Sequence, residues 1–146
     1  MYDSLRRLTF VSLCCVVLSA CGPMSSIKLG ARDTSFQQAT DTYRKLIRWG
    51  AYEEAAKYLR GQTDQIEEPD LTNFVHYKIT AFHIGDPLLN YKRDEARVVA
   101  LIEYYDIDSG IAGGLRDEQY WWFDYTTQHW FLGSPMFQLG PVKKKH

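Results

Sequence analysis

Apolar positions recur every three to four residues at Phe36, Ala39, Tyr43, Leu46 and Ile47, with Gln37, Asp41, Arg44 and Lys45 between them. This spacing gathers the apolar side chains on one stripe and predicts an amphipathic helix. Asp33, Thr34 and Ser35 offer capping groups ahead of it, and Ser35 with Gln38 has capping-box spacing, so the helix is expected to start near Asp33 and stop at Gly50. A second, shorter helix is predicted from about Ala51 to Arg60, with Tyr52, Ala55, Ala56 and Leu59 on one face and Gly61 as its left-handed stop. Gly61 to Asp70 reads as an acidic surface loop.

After that loop the period becomes two. Between Phe74 and Ile84 the apolar Val75, Tyr77, Ile79 and Ala81 alternate with the polar His76, Lys78 and Thr80, which predicts a first strand. Glu95 to Tyr105 places Ala96, Val98, Ala100, Ile102 and Tyr104 on one apolar face and is expected to be central. Leu115 to Tyr125 sets Trp121 and Phe123 against Trp122 and Asp124, and a fourth strand, Gln128 to Leu132, follows a turn at Thr126-Thr127. Helices followed by strands predict an α+β fold, with an N-terminal helical hairpin packed on a mainly antiparallel, four-stranded sheet.

With 146 residues the chain is long enough for one core and too short for two. That core is expected within a single domain spanning 33–140. A net charge of −1 with 24% charged residues implies neither nucleic acid nor an acidic substrate as partner. Four Trp, ten Tyr and seven Phe, concentrated after residue 70, suit half-buried sheet faces, core packing or a binding surface.

The first twenty residues read differently. Arg6 and Arg7, an apolar run from Leu8 to Leu18, then Ser19 and Ala20 have the order of a secretory signal. The run is short of the roughly 20 apolar residues that a transmembrane helix needs. Leu18-Ser19-Ala20-Cys21 resembles the lipobox of bacterial lipoproteins. The resemblance implies cleavage of a 1–20 signal peptide, a diacylglyceryl group on Cys21 and, in many bacteria, acylation of the freed amine. Two or three acyl chains hold a protein stably on a membrane, whereas one holds it marginally. Gly22, in place of the inner-membrane retention aspartate of enteric-type sorting, implies an outer-membrane address with the domain facing the periplasm. Cys14 and Cys15 would leave with the leader, so no internal disulfide would remain. Residues 21–32 read as a flexible tether, and 141–146, with Lys143 to Lys145, as a basic tail that is either solvated or against anionic headgroups.

Tyr43 through Leu59, together with Trp130-Phe131-Leu132, resembles the opening helices and last strand of NTF2-like domains, in which a curved sheet wraps a helix to form a cone. The resemblance implies a curved sheet. The chain lacks a clear third helix between its early and late strands, which implies a reduced cone.

Some members of that family use an Asp and a His inside the cone, which makes Asp124, His76, His83 and His129 the candidates for such chemistry. Linear spacing does not bring them together, and a histidine satisfied within a strand is the plainer reading. His76 and His83 are seven positions apart and face opposite ways on a regular strand, so no metal site is expected. Asp106-Ile107-Asp108-Ser109-Gly110, with Asp117 at the twelfth place, has part of a calcium-loop pattern, but Ile111 stands where the turn glycine belongs. It reads as a hairpin loop. Standard nucleophile and phosphate-loop signatures are absent, and no catalytic residue or cofactor is assigned. Tyr104, Trp121, Asp124 and His129 are the candidates for a pocket or interface.

Two functions remain. One is a lipid-anchored, non-catalytic module that binds an envelope protein. The other is a cone-pocket protein that binds or transforms a small apolar molecule. A third reading, purely structural spacing at the membrane, is excluded by no sequence feature.

Overall fold

A computed structural model describes residues 24–63 and 65–140. Residues 1–20, read as a signal peptide and including Leu18, Ser19 and Ala20, lie outside the described residues, as do Cys21 and residues 141–146, read as a basic tail. The elements run α1 (Met24–Arg48), α2 (Tyr52–Ala56), a 3₁₀ turn (Thr72–His76), β1 (Tyr77–Ile84), β2 (Leu88–Leu89), β3 (Glu95–Asp106), β4 (Ala112–Asp124) and β5 (His129–Leu132). The sheet order is β1-β3-β4-β5, every pairing is antiparallel, and the sheet curls around α1. This is the expected α+β architecture with β3 in the interior. A fifth strand, β2, pairs with β3 at Leu88↔Arg97 and Leu89↔Ala96. No helix among the described residues is long and apolar enough to cross a membrane.

Helix α1 buries Phe36, Thr40, Tyr43 and Ile47, the seam its periodicity dictates. Thr40 is tolerated there because its hydroxyl donates to the Phe36 and Gln37 carbonyls at 3.1 Å each. Arg48 ties the helix end to the sheet by donating to the Ile79 carbonyl at 2.6 Å. The helix begins well before the expected cap, so the segment read as tether is helical from Met24 onward. Apart from Gly30, which costs about 1 kcal/mol, that stretch contains no helix breaker. Ser35 lies inside the helix: its hydroxyl donates to the Arg32 carbonyl at 2.9 Å and accepts the Trp130 indole N–H at 3.0 Å.

Gly50 takes φ +75° and ends the α1 segment as expected. The second helix is half its expected length because the sheet claims its continuation. The Leu132 N–H donates to the Tyr58 carbonyl at 2.8 Å and the Arg60 N–H to the Leu132 carbonyl at 3.0 Å, a parallel bridge along the edge of β5. Gly61 therefore caps no helix.

Phe74 to His76 precede the first strand as a 3₁₀ turn, leaving Val75 72% exposed. Within β1 a bulge at Thr80 separates Ile79↔Tyr104 from Ala81↔Glu103. One extra residue reverses which alternate positions face inward. Ile79 and Phe82 are consequently both buried.

After β5 the chain continues as an irregular strap, Gly133 to Gly140. It is pinned by Gly133 N–H to the Tyr120 carbonyl (2.7 Å), Tyr120 N–H to Ser134 Oγ (3.2 Å) and Tyr104 O–H to the Gly140 carbonyl (3.3 Å). Met136, Phe137 and Leu139 insert into the core.

Candidate functional site

The inner face of β4 carries Leu115, Asp117, Gln119, Trp121 and Phe123, because alternate residues of a strand share a face. Opposite them β3 presents the smaller Ala96, Val98 and Ala100, in register with Trp121, Gln119 and Asp117. That difference in size lets large β4 side chains lie inside the curl. Trp121 is wholly buried and meets Phe36, Tyr43 and Tyr58 edge to face, with ring centroids 5.5–6.2 Å apart. Phe82 joins Tyr43 at 6.2 Å, and Phe137 of the strap joins Phe82 at 6.3 Å. Aromatic side chains therefore occupy the interior that an open cone would leave for a ligand.

A polar chain runs through this interior. The Trp121 indole N–H donates to Gln119 Oε1 at 3.0 Å, and Gln119 Nε2 donates to Asp117 Oδ2 at 2.7 Å. Burial pushes the Asp117 carboxyl above its ordinary value, against the opposing effect of the Gln119 hydrogen bond. The Tyr43 hydroxyl is buried without a hydrogen-bond partner; burial first, and the Asp117 charge second, push its titration well above the usual phenol range. Asp117 and Gln119 share the odd parity of Trp121 and Phe123, which is the sequence signal for their interior placement.

The four residues proposed for a pocket or interface do not converge. Tyr104 is 8% exposed, packed at 5.5 Å against Tyr77, and Trp121 is core. Asp124 and His129 are register partners at the β4–β5 turn, away from that core. The backbone N–H of Thr126 (2.8 Å), then the Thr127 hydroxyl (3.0 Å) and the Arg60 guanidinium (3.2 Å), hold the Asp124 carboxyl below the usual range. Asp124 thus organises a turn, and His129 is exposed. His76 lies 3.2 Å from Asp108 on the surface, and His83 is exposed on β1. The Asp106 carboxylate accepts the N–H groups of Asp108 and Ser109, which makes the partial calcium pattern a hairpin turn. No cluster of potential metal ligands occurs among the described residues.

Hollows lie at the surface instead: one of about 530 Å³ is lined by Arg32, Ser35, Phe123 and Tyr125 beside α1, and two others lie on the outer face of the sheet. These two, of about 330 and 510 Å³, share Leu88, Arg97 and Tyr120. The Arg97 guanidinium sits 5.7 Å from the Tyr120 ring centre, and the Tyr120 hydroxyl donates to Gln62 at 2.9 Å. Leu88 is 76% exposed, and Asp86, Arg116 and Glu118 surround it with mixed charge. An apolar centre with an arginine, a tyrosine and a polar rim has the composition of a protein contact surface.

Asp117 makes a pH prediction. Its folded-state pKa lies above its unfolded reference of 3.8, so the stability it contributes is present below that value and is lost as pH rises through the folded pKa. Asp117→Asn keeps the shape and removes the charge. The variant is expected to be more stable than the parent at neutral pH, with the advantage vanishing toward about pH 4. Urea midpoints measured across that interval check it, and an advantage independent of pH would refute it.

Comparison of the chain with protein-family models, curated proteins and solved structures finds no match.

Proposed function

We propose that the protein is a lipid-anchored envelope lipoprotein, held through Cys21 on the outer membrane and facing the periplasm, whose NTF2-like domain is a non-catalytic protein-binding module accessory to a larger assembly. The observation that carries the binding half is the interior itself, where Trp121 and Tyr43 are each 0% exposed and close-packed with neighbouring rings. A ligand would have to displace side chains whose burial holds the fold together. The outer hollow around Leu88, Arg97 and Tyr120 requires no such rearrangement. The anchoring half rests on the lipobox-like Leu18-Ser19-Ala20-Cys21.

The rival small-ligand or enzymatic cone draws on one specific observation, the buried Asp117 carboxyl near an unpartnered Tyr43 hydroxyl. It requires Phe137 or Trp121 to move.

Native mass spectrometry of protein extracted gently from its own membranes tests both halves. A lipid-modified chain beginning at Cys21 is expected, with membrane attachment lost in Cys21→Ser. A photo-crosslinking residue at position 88 is expected to capture a protein that the same residue at position 49 does not. A retained small molecule without a protein partner would favour the cone, and an unmodified chain starting elsewhere would refute the anchor.

A further inference from the structure

The early start of α1 bears on how the domain meets its membrane. Met24 opens the helix three positions after Cys21. Those three steps reach about 10 Å at full extension, and Met24 to Arg32 adds about 12 Å of helix at 1.5 Å per residue. A lipid on Cys21 would therefore lie within about 22 Å of Arg32. This geometry replaces most of a loose tether with a stiff stalk.

Arg32 and Asp33 fasten the helix to two turns at this end of the domain. The Arg32 guanidinium donates to the Lys92 carbonyl at 2.7 Å and lies 4.8 Å from the Tyr125 ring centre. Asp33 pairs with Arg93. The β2–β3 turn between Asn90 and Asp94 is braced internally: Asn90 Oδ1 accepts the Asp94 N–H at 3.0 Å, and Asn90 Nδ2 donates to Asp94 Oδ1 at 2.7 Å. The Tyr125 hydroxyl donates to the other Asp94 oxygen at 2.8 Å.

This bracing holds Tyr91 at the tip, where it is 99% exposed, beside an exposed Lys92. A large aromatic ring fully in solvent, on a turn ordered by so many bonds, is poorly explained by folding. A tyrosine has an apolar ring and a polar hydroxyl, which suits it to the water–hydrocarbon boundary of a bilayer, and an adjacent lysine suits lipid phosphates.

We infer that the Tyr91–Lys92 turn, joined to the start of α1 through Arg32, is a second membrane contact that inserts into the headgroup layer of the leaflet carrying the Cys21 lipid. This rests on the lipoprotein reading and deepens it: the domain lies on its membrane in a defined orientation. In that orientation the other end of α1, next to the 86% exposed Trp49, faces the aqueous space.

The test uses the mature lipidated chain in vesicles of phosphatidylethanolamine with a minority of phosphatidylglycerol. A nitroxide is attached through Tyr91→Cys or, separately, Trp49→Cys. The label at 91 is expected to lose accessibility to a water-soluble nickel chelate several-fold on vesicle binding while staying accessible to oxygen. The label at 49 should remain open to both. Equal water exposure of the two labels on protein that floats with the vesicles would overturn the turn contact and leave the anchor standing. A chain recovered from its own membranes with no lipid on Cys21, read by its mass, would refute the lipoprotein reading and this inference with it.

Discussion

Trp121→Ala is expected to reduce the unfolding free energy by about 4 kcal/mol, within the usual range for deleting a large buried aromatic ring. Trp121 is wholly buried where β4 faces α1, and its ring meets Phe36, Tyr43 and Tyr58. Phe36 and Tyr43 cannot collapse into the vacancy without leaving their own partners, because α1 is fixed by Arg48 at one end and by Arg32 near the other, and Tyr58 is held by the Leu132 N–H on its carbonyl. The substitution also strips Gln119 of the donor that satisfies its Oε1. Domains of this size are stable by about 5 to 15 kcal/mol, so the variant should have a much lower urea midpoint with an unchanged slope. Trp121→Phe separates the contributions: it keeps much of the ring and loses the N–H, and should cost about half as much. Equal losses in the two variants would mean that the hydrogen-bonded chain to Asp117, and not ring packing, dominates at this position.

Phe137→Ala is the second large effect, expected at about 3 kcal/mol. Phe137 is 7% exposed and bridges Phe74 at 5.6 Å and Phe82 at 6.3 Å, which closes the curl beside the 3₁₀ turn. The cost should be smaller than at Trp121 because an irregular strap can shift toward the gap more readily than a strand locked in register. Hydrogen exchange distinguishes the two variants. In Phe137→Ala the amides of the strap and of Thr72 to His76 should lose protection before those of β3. Uniform loss across the sheet would mean that the strap unfolds only with the whole domain. A gain in binding of small apolar molecules by this variant would revive the cone reading, since Phe137 stands one ring away from Tyr43 through Phe82.

Where a pattern is local and repeated, the chain could be read directly. Ala96 to Tyr104 alternate without interruption, and all five inward positions are buried. β3 has partners on both sides, so any slip of register would expose the whole apolar set. The helix stripe through Phe36, Tyr43 and Ile47 and the turn before β5 were legible for the same reason. Parity also held the clue to the interior polar chain, since Asp117 and Gln119 alternate with exposed residues in step with Trp121. Their polar character outweighed the pattern, and buried polar groups are uncommon enough that a surface placement is the default. Of the four candidate site residues, Tyr104 and Trp121 proved to be packing residues of the core, while Asp124 proved to be the acceptor that shapes a turn.

Periodicity by itself determined the buried stripe of α1, the placing of the long strands and the α+β class, because those depend on contacts that repeat every two or three to four residues. The tertiary structure decided the rest. It set the length of α2, cut short by hydrogen bonds from Leu132 some seventy residues away, and the bulge at Thr80, which arises from the fit to β3. It also decided the burial of Met136, Phe137 and Leu139 in a segment with no period, where glycine and proline suggest only turns. Such features depend on partners distant in sequence, and a side chain's own neighbours along the chain carry no record of which distant surface will be left uncovered for it to fill.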